Sequence, residues 1–377
     1  MLAILSKRVV FLRSNPVAPD PRVEKEALAL AKHGYDVSIV CWDRKKEFPE
    51  KDDYRGIPIT RLQVSGQYGG GMKNFGKVLS WNLALLSWLN KNRHNYDIIH
   101  ACDFDTVIPA IIVKFFCRKK VVYDMFDFYA DMVLNLPGWM RGIIRFFDSC
   151  IVGKADAVII CDDARREQIK GFHPRKLVVI YNSVPEIENL VIPGRDCCKG
   201  LKVGYAGNLA PDRGIFALIN VVKKMPQVHL DIAGTGKLKD DVLRAVRGVG
   251  NIKFYGTIPV RDAIALHASS DVVYAVYDPS IPNNRYASAN KLFEAIAFGK
   301  PVIVARNTKM DELVKKYNLG FVVDYGNEQQ LIEVFNCLLA MGPDERKNAY
   351  RHNADIYREL FAWDKMEQRL IDLYENI

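Results

Sequence analysis

One sequence pattern occurs twice in this chain of 377 residues: a short β-branched strand, a loop, an amphipathic helix and a second strand. The first copy begins with the strand Arg8–Arg13, and its helix ends at Gly34 before the strand Tyr35–Cys41. The second copy begins at Leu201, and its helix runs from Ile215 to Lys224. Because a strand, a helix and a further strand within about 35 residues form a βαβ unit, each copy predicts a parallel sheet. We therefore predict an α/β chain with two Rossmann-like, doubly wound parallel-sheet domains.

A polar stretch from Glu186 to Gly200 separates the two copies and predicts the interdomain linker. We assign residues 1–185 to an N-terminal domain, 186–200 to the linker and 201–360 to a C-terminal domain. Residues 361–377 form a C-terminal helix.

The composition is that of a soluble globular protein, with 49% hydrophobic and 26% charged residues. Its eight cysteines are scattered, without a Cys-x-x-Cys pair, which favours reduced core cysteines in a cytoplasmic protein and no metal site. No apolar run approaches the roughly 18–20 residues that span a bilayer, and the N-terminus lacks a signal-peptide pattern. The net charge of +9 permits attraction to an anionic membrane or a phosphate-bearing substrate and does not require nucleic acid.

Two basic, aromatic helices are predicted in the first half of the chain, at about residues 73–92 and from residue 136 onwards. Such helices could lie in a membrane interface, as in a peripheral membrane protein, or be buried against the sheet. The polar residues 47–72 before the first of them predict a flexible loop that ends in Gly69-Gly70-Gly71.

Polar side chains follow the ends of several predicted strands in the N-terminal domain, where parallel sheets bind ligands. They are His100 and Asp103 after one strand and Asp127 after the next. Arg22, at the first loop-to-helix junction, is either a ligand contact or a surface residue at the helix start. Asp103-Phe-Asp105 could be mistaken for a metal-binding pair, but a site above a doubly wound sheet needs no metal.

Residues 286–305 predict a loop, a helix, a turn and a strand. Ser288 and Asn290 are suitable N-caps. Lys291 falls in the first helical turn, where the helix dipole disfavours a cation, so its presence indicates a bound anion such as a phosphate. The alternative is an ordinary surface ion pair between Lys291 and Glu294.

The segment Asn290-Lys-Leu-Phe-Glu-Ala295, followed by Gly299-Lys-Pro-Val-Ile303, resembles the donor-binding signature of GT-B glycosyltransferases. These enzymes form a large retaining family that uses nucleotide sugars. The resemblance implies two domains facing a cleft, with the C-terminal helix crossing back to the first domain. It also implies that Glu294 binds the ribose and that the preceding loop, with Tyr286, Ser288 and Asn290, holds the diphosphate and sugar.

The resemblance extends to the second βαβ unit. There Gly207 opens a phosphate-binding turn, and Arg213 matches one of two cations that clamp the diphosphate, while Asn208 stands where the family usually has the other. Thr257 and Ile258 match the segment that holds the base through backbone groups.

Two positions depart from the family pattern. Phe126 stands where the family usually has a His, and Tyr286 stands where it usually has a Glu. Both positions contact the sugar ring in the family, so the departures concern the choice of sugar and the strength of catalysis. We expect Asp127 and Tyr286 to supply the missing hydrogen bonds, and we take Arg213, Lys291 and Asp127 as the candidate catalytic residues.

The sequence thus predicts a glycosyltransferase that moves a sugar from a nucleoside-diphosphate sugar to a glycan or lipid-linked acceptor, with retention, without metal and without a cofactor. A sugar-nucleotide 2-epimerase of the same architecture and a nucleotide-sugar-binding protein with little turnover are the alternatives. A dehydrogenase is disfavoured, because no Gly-x-Gly-x-x-Gly with a following acidic ribose ligand appears in the first unit.

Overall fold

The computed structural model describes residues 7–66, 75–132, 137–184, 190–192 and 200–377. Two compact units result, the first made of Met1–Tyr181 with Met366–Ile377 and the second of Asn182–Lys365. The predicted glycine run 69–71 and most of the predicted linker lie outside the described residues.

Eight strands form one sheet in the first unit. They are β1 (Arg8–Arg13), β2 (Asp36–Trp42), β3 (Lys51–Tyr54), β4 (Ile57–Leu62), β5 (Ile98–Cys102), β6 (Lys120–Met125), β7 (Ala157–Ile160) and β8 (Leu177–Val179). Their order is β3-β4-β2-β1-β5-β6-β7-β8. The described strand pairs are parallel apart from β3 with β4. The direction of the strand order reverses between the neighbouring strands β1 and β5. The topological switch point, where such sheets bind ligands, therefore lies at the carboxyl ends of these two strands.

The helices of the first unit cover both faces of this sheet. They are α1 (Pro21–Lys32), α2 (Phe75–Lys91), α3 (Phe104–Cys117), α4 (Tyr129–Met132) and α5 (Gly138–Lys154), with a 3₁₀ helix at Asp163–Glu167. Helix α3 packs against both α2 and α5. Trp81, Leu85 and Leu89 of α2 are buried in the first unit, as expected if that helix packs against the sheet rather than lying in a membrane interface. Leu79 and Leu83 on the same helix remain exposed.

The predicted loop over residues 47–72 is wrong for its central part, because β3 and β4 form a hairpin there. Arg55 and Gly56 both have positive φ, of 53° and 88°, as a two-residue primed turn requires. Ile57 and Ile59 alternate with Pro58 and Thr60, and both isoleucines are buried. This period-2 pattern was present in the sequence but was short and surrounded by polar residues.

Six parallel strands form the sheet of the second unit. They are β9 (Leu201–Asn208), β10 (Val228–Thr235), β11 (Ile252–Phe254), β12 (Val272–Ala275), β13 (Val302–Ala305) and β14 (Gly320–Val323), in the order β11-β10-β9-β12-β13-β14. The switch point lies between β9 and β12. The predicted α/β class with two parallel-sheet domains is confirmed.

The helices that follow these strands are short and regularly spaced. They are α6 (Ile215–Lys224), α7 (Lys239–Val246), α8 (Val260–Ser269), α9 (Pro282–Arg285), α10 (Asn290–Ala297), α11 (Met310–Tyr317), α12 (Glu328–Ala340), α13 (Pro343–Ala349), α14 (His352–Ile356) and α15 (Trp363–Glu375). A 3₁₀ turn occupies Pro211–Arg213, and a π-helical turn occupies Tyr357–Phe361. From Met366 onwards α15 belongs to the first unit, where Tyr374 is fully buried.

The central strands of both sheets are buried on both faces. All residues of β7, β12 and β13 are buried, which explains why these strands are continuous apolar runs rather than alternating ones. The two sheets thus form the cores of the two units. The polar residues that are candidates for a site lie at or near the carboxyl ends of the strands.

Candidate functional site

Three backbone segments approach one another closely at the carboxyl ends of β9 and β10. The amide of Gly234 donates to the carbonyl of Gly256 at 2.7 Å. A Cβ atom on Gly234 would lie 1.8 Å from the carbonyl oxygen of Gly207, and both glycines have a positive φ, of 146° and 152°. Only glycine fits this crossing, which leaves a backbone turn without side chains at the end of β9.

Lys291 faces this turn from the start of α10. Its side chain is only 6% exposed, and its ammonium nitrogen lies 4.5 Å from the ring centre of Tyr205 and 5.3 Å from that of Tyr277. A Cβ atom on Gly207 would lie 3.1 Å from that nitrogen. Among the described carboxylates, none forms an ion pair with Lys291. A buried ammonium held only by aromatic faces is costly unless an anion neutralises it.

Arg213 lies beside the same tyrosine. Its guanidinium carbon is 3.9 Å from the ring centre of Tyr277, and its Nη1 bonds the carboxylate of Asp212 and, at 3.3 Å, Asn284 Oδ1. Asn284 Nδ2 in turn donates to Asp212 Oδ2 at 2.8 Å. The structure therefore brings the two predicted clamp cations together on one aromatic ring.

The loop before α10 differs from the predicted capping. The N-cap is Ala289, and neither Ser288 nor Asn290 caps the helix. The carbonyl of Ser288 accepts from Asn182 Nδ2 at 2.8 Å, and Asn290 is exposed at the first helical position. Tyr286 is half-buried at the end of α9. Since no side chain caps α10, the amides of its first two residues remain available to an anion, whereas the amide of Leu292 donates to the carbonyl of Ala289 at 3.0 Å.

Glu294, one turn into α10, does not pair with Lys291. Its Oε2 lies 2.6 Å from Nδ1 of the buried His267 on α8, which excludes the surface-pair alternative. The backbone amide of Ala206 donates to His267 Nε2 at 3.0 Å, so Nε2 is an acceptor and Nδ1 carries the proton that it donates to Glu294. No described residue bonds to the other carboxylate oxygen of Glu294, which leaves that oxygen for a ligand hydroxyl.

The remaining predicted residues of the second unit line the same strand ends. Gly207 and Asn208 are exposed at the end of β9, and the carbonyl of Asn208 accepts from Tyr205 Oη at 2.6 Å. Thr257 is exposed in the loop after β11. Ile258 packs against Ala206, Ala233 and Leu266.

Arg22 in the first unit is a buried ion-pair residue, and neither a surface residue nor one freely open to a ligand. Asp20 caps α1 and Pro21 opens it, which holds Arg22 in the first turn. Its Nε and Nη2 bond both oxygens of Asp124 at 3.1 and 2.9 Å. Although burial disfavours the charged carboxylate, Arg22 and His100 together lower the pKa of Asp124 to about 2.

His100 is fully buried and does not reach the surface of the unit. Its ring stacks on Phe11, its Nδ1 lies 2.7 Å from Tyr374 Oη, and its Nε2 lies 3.5 Å from Asp124. Its influence on a ligand site would therefore run through Asp124 and Arg22 rather than through direct contact.

Asp103 and Asp127 frame the loop after β6. Asp103 binds Arg13 and accepts from the amides of Phe126 and Asp127 at 3.0 and 3.3 Å. The side chain of Asp127 is 36% exposed and bonds Arg165 Nη2 at 2.8 Å. Of the two carboxylates, Asp127 is the one that retains an open edge.

Two guanidinium groups lie close to the ring of Phe126. The guanidinium carbons of Arg13 and Arg22 lie 4.2 and 4.9 Å from its ring centre. The aromatic ring at this position therefore stabilises two cations of the loop, which an imidazolium could not do.

Among the described residues, one group of three could offer metal ligands: His100, Cys102 and Asp124, with donor atoms within 4.8 Å of one another. Arg22 already holds both oxygens of Asp124. A metal ion there would have to displace a buried guanidinium, so these residues do not fit a metal site.

Sequence reasoning missed four residues that surround Lys291, Arg213 and Glu294. Tyr205 and Tyr277 hold the two cations, His267 orients Glu294, and Asn284 links Asp212 to Arg213. No sequence signal identified them, because each acts through a contact with a residue distant in the chain.

Residues 22–186 match the family model described as Glycosyltransferase Family 4, and residues 200–341 match the one described as Glycosyl transferases group 1. This chain is a GT-B glycosyltransferase. A protein of Haemophilus influenzae described as an uncharacterized glycosyltransferase is 20% identical to it over 83% of this chain and 84% of that protein.

Two solved structures share the fold of this glycosyltransferase along almost its whole length. Sucrose-phosphate synthase from Thermosynechococcus elongatus has a TM-score of 0.78 at 16% identity and covers 98% of both chains. HepE of Anabaena, solved in complex with UDP and glucose, has a TM-score of 0.71 at 17% identity and covers 98% of this chain and all of its own. Within the described residues, every helix of this glycosyltransferase is too short or too polar to cross a bilayer.

Proposed function

We propose that this glycosyltransferase takes a sugar from a nucleoside-diphosphate sugar and transfers it to a glycan or lipid-linked acceptor, with retention of configuration and without a metal ion. The observation that carries the donor assignment is Lys291, a buried ammonium with no carboxylate partner among the described residues, facing the side-chain-free turn at Gly207. A diphosphate in this turn would neutralise it.

The second unit supplies the groups that such a donor needs. Lys291 and Arg213 converge on Tyr277 and would stabilise the negative charge that develops on the leaving diphosphate, as a divalent metal does in other transferases. Asn208 would add a neutral hydrogen bond, and the uncapped amides of α10 would bind the phosphate oxygens. Glu294, oriented by His267, would accept from the ribose hydroxyls.

The base and sugar would be held by the neighbouring segments. Thr257 and Ile258 follow Gly256 in the loop that meets Gly234 and would present backbone groups to the base. Tyr286, Ser288 and Asn290 would contact the sugar and the phosphates. Because the solved structure of HepE contains UDP, a uridine diphosphate sugar is the first donor to test.

The first unit would provide the acceptor side. We propose Asp127 as the residue that contacts the reacting sugar, since its carboxylate is fixed by Arg165 yet still partly exposed. Arg22 and His100 would shape this region through their contacts with the buried Asp124, and Asp103 would do so by holding Arg13 and the loop after β6. No general base from the protein is required if the leaving phosphate accepts the acceptor proton, which is the expectation for a retaining enzyme.

We propose a cytoplasmic enzyme that contacts the membrane peripherally. A lipid-linked acceptor would require the enzyme to reach an anionic membrane surface, which the net charge of +9 favours.

Calorimetric titration with a panel of nucleoside diphosphates and their sugars tests the donor proposal. We expect one base to bind, and Glu294→Ala to lose that binding while Lys316→Ala, an exposed cation in the same unit, retains it. If none of the panel binds to the intact chain, the donor proposal is wrong.

Turnover with the donor so identified tests the chemistry. Transfer of the sugar supports the proposed reaction, whereas an epimerised donor or binding alone would overturn it. Asp127→Ala and Tyr286→Phe are expected to slow transfer, and unchanged turnover in both variants would remove these residues from the mechanism.

A further inference from the structure

Helix α5 has a second apolar face that is largely exposed. Trp139, Ile143, Phe146 and Phe147 follow i, i+4, i+7, i+8 spacing and lie within roughly a third of the helix circumference at 3.6 residues per turn. All four are exposed, while Asp148 and Val152 on the opposite face are buried. An amphipathic surface helix normally exposes polar residues to solvent, whereas α5 exposes apolar ones.

The exposed face continues onto α3, which packs against α5. Phe115 and Phe116 at the end of α3 are exposed, and Lys154 at the end of α5 lies 5.9 Å from the ring centre of Phe115. The five aromatic side chains of this surface are between 55% and 85% exposed. We call this surface the α3/α5 aromatic patch, which consists of Phe115, Phe116, Trp139, Ile143, Phe146 and Phe147. Contiguous exposed apolar surface of this kind marks an interaction site.

The charges around the patch have one sign. Lys154 of α5 is exposed, and so is Arg118 just after α3; Arg145, the other exposed cation of α5, pairs with Asp131 at 2.6 Å and does not count among them. The one acid of α5, Asp148, is fully buried and accepts from Tyr123 Oη at 2.8 Å. The patch therefore presents aromatic rings with cations around them and no carboxylate of α5.

We propose that the α3/α5 aromatic patch is the surface by which this protein binds an anionic lipid bilayer. Aromatic side chains insert at the level of the lipid head groups, while lysine and arginine pair with anionic phosphates, and this patch supplies both. A second copy of the same chain fits poorly, because two faces with the same positive charge would repel each other. The role of this binding rests on the proposed function: it would bring the acceptor side of the enzyme to lipid-linked substrates.

Vesicle flotation tests the patch directly. The full chain is mixed with vesicles of phosphatidylcholine alone or of phosphatidylcholine with phosphatidylglycerol, at low and at high salt. We expect binding to the anionic vesicles that weakens with salt, and a loss of about tenfold or more in the triple variant W139S/F146S/F147S. The matched control is Leu243→Ser, which removes an equally exposed apolar side chain from α7 of the second unit and should leave binding unchanged.

Three further measurements make the outcome decisive. Thermal melting confirms that the triple variant is folded, and Lys154→Gln in the otherwise intact chain should reduce the salt dependence while sparing the apolar contribution. Equal flotation of the triple variant and the intact chain, or no flotation of the intact chain, would overturn the proposal. So would light scattering that shows a dimer which the triple substitution dissolves.

Donor binding separates this inference from the proposed function. The triple variant should retain the nucleoside-diphosphate affinity of the intact chain, because the patch lies in the first unit and the donor residues lie in the second. An intact chain that floats with vesicles but binds no nucleoside diphosphate would refute the donor proposal and leave the lipid surface standing.

Discussion

His267 Nδ1 lies 2.6 Å from Glu294 Oε2, and the other ring nitrogen of His267 accepts from the amide of Ala206 at 3.0 Å. The carboxylate is thereby tied through an imidazole to the end of β9, immediately before Gly207. The link fixes both the tautomer of the ring and the direction of the carboxylate. If Glu294 binds the donor ribose, His267 is the residue that positions it.

This link predicts how donor affinity depends on His267. We expect His267→Ala to weaken nucleotide binding by about 1–2 kcal/mol, because Glu294 loses a charge-assisted hydrogen bond. His267→Asn keeps a donor near the position of Nδ1 and should recover part of the loss. The donor KM should rise with little change in kcat, since the ribose is remote from the reacting bond.

A double-mutant cycle separates positioning from a general packing defect. In a Glu294→Ala background, His267→Ala should cost almost nothing further in nucleotide affinity. If the two losses add, His267 serves the fold of the second unit and not the orientation of Glu294.

Lys291→Ala should reduce affinity for a nucleoside diphosphate roughly 10- to 100-fold, because about 1.5–3 kcal/mol of charge-assisted bonding is lost. Affinity for the nucleoside without phosphates should not change. Calorimetry with both ligands measures the difference, and Lys316→Ala is the charge-matched control. An equal loss for the two ligands would contradict a diphosphate contact.

Gly207→Ala should weaken nucleotide binding by tenfold or more. The new methyl group would lie 3.1 Å from the Lys291 ammonium and would require a φ of 152°, which is strained for alanine. Gly248→Ala provides the control, since Gly248 also has a positive φ, of 76°, but meets nothing within 4 Å. Both variants should melt earlier than the wild type, and only Gly207→Ala should lose nucleotide. Normal nucleotide binding by Gly207→Ala would show that Lys291 is not confined by the turn.

Asp148 predicts a pH dependence of stability in the first unit. Burial raises the pKa of Asp148 to about 7, so the folded state holds a proton that the unfolded chain releases at lower pH. The stabilisation is therefore fully present below about pH 4, the unfolded pKa, and is lost progressively as the pH rises from there through about 7, by about 4 kcal/mol in all.

Asp148→Asn should remove the contribution of Asp148 to this dependence while keeping an acceptor for Tyr123. The melting temperature of the first unit, followed across the same pH range, should fall less steeply in Asp148→Asn than in wild type. Asp163→Asn, at an exposed position, should leave the slope unchanged. Parallel slopes for wild type and Asp148→Asn would show that the buried carboxyl does not titrate in this range.

The sequence by itself determined the α/β class and most element positions, since buried strands such as β12 and β13 are continuous apolar runs and glycines such as Gly34 end helices. It also placed Lys291 and Glu294 on one short helix through local spacing. It missed the hairpin of β3 and β4, because the alternation of apolar and polar residues there is brief. It also predicted the wrong N-cap for α10, which is Ala289.

The tertiary structure alone decided what the polar residues do. It placed His267 against Glu294, brought Arg13 and Arg22 to the ring of Phe126, and buried His100 beside Asp124. Each of these contacts joins residues from different strands or helices, and local periodicity contains no information about which elements become neighbours. The order of the strands in the sheet decides that, and with it which charges are buried, paired or left for a ligand.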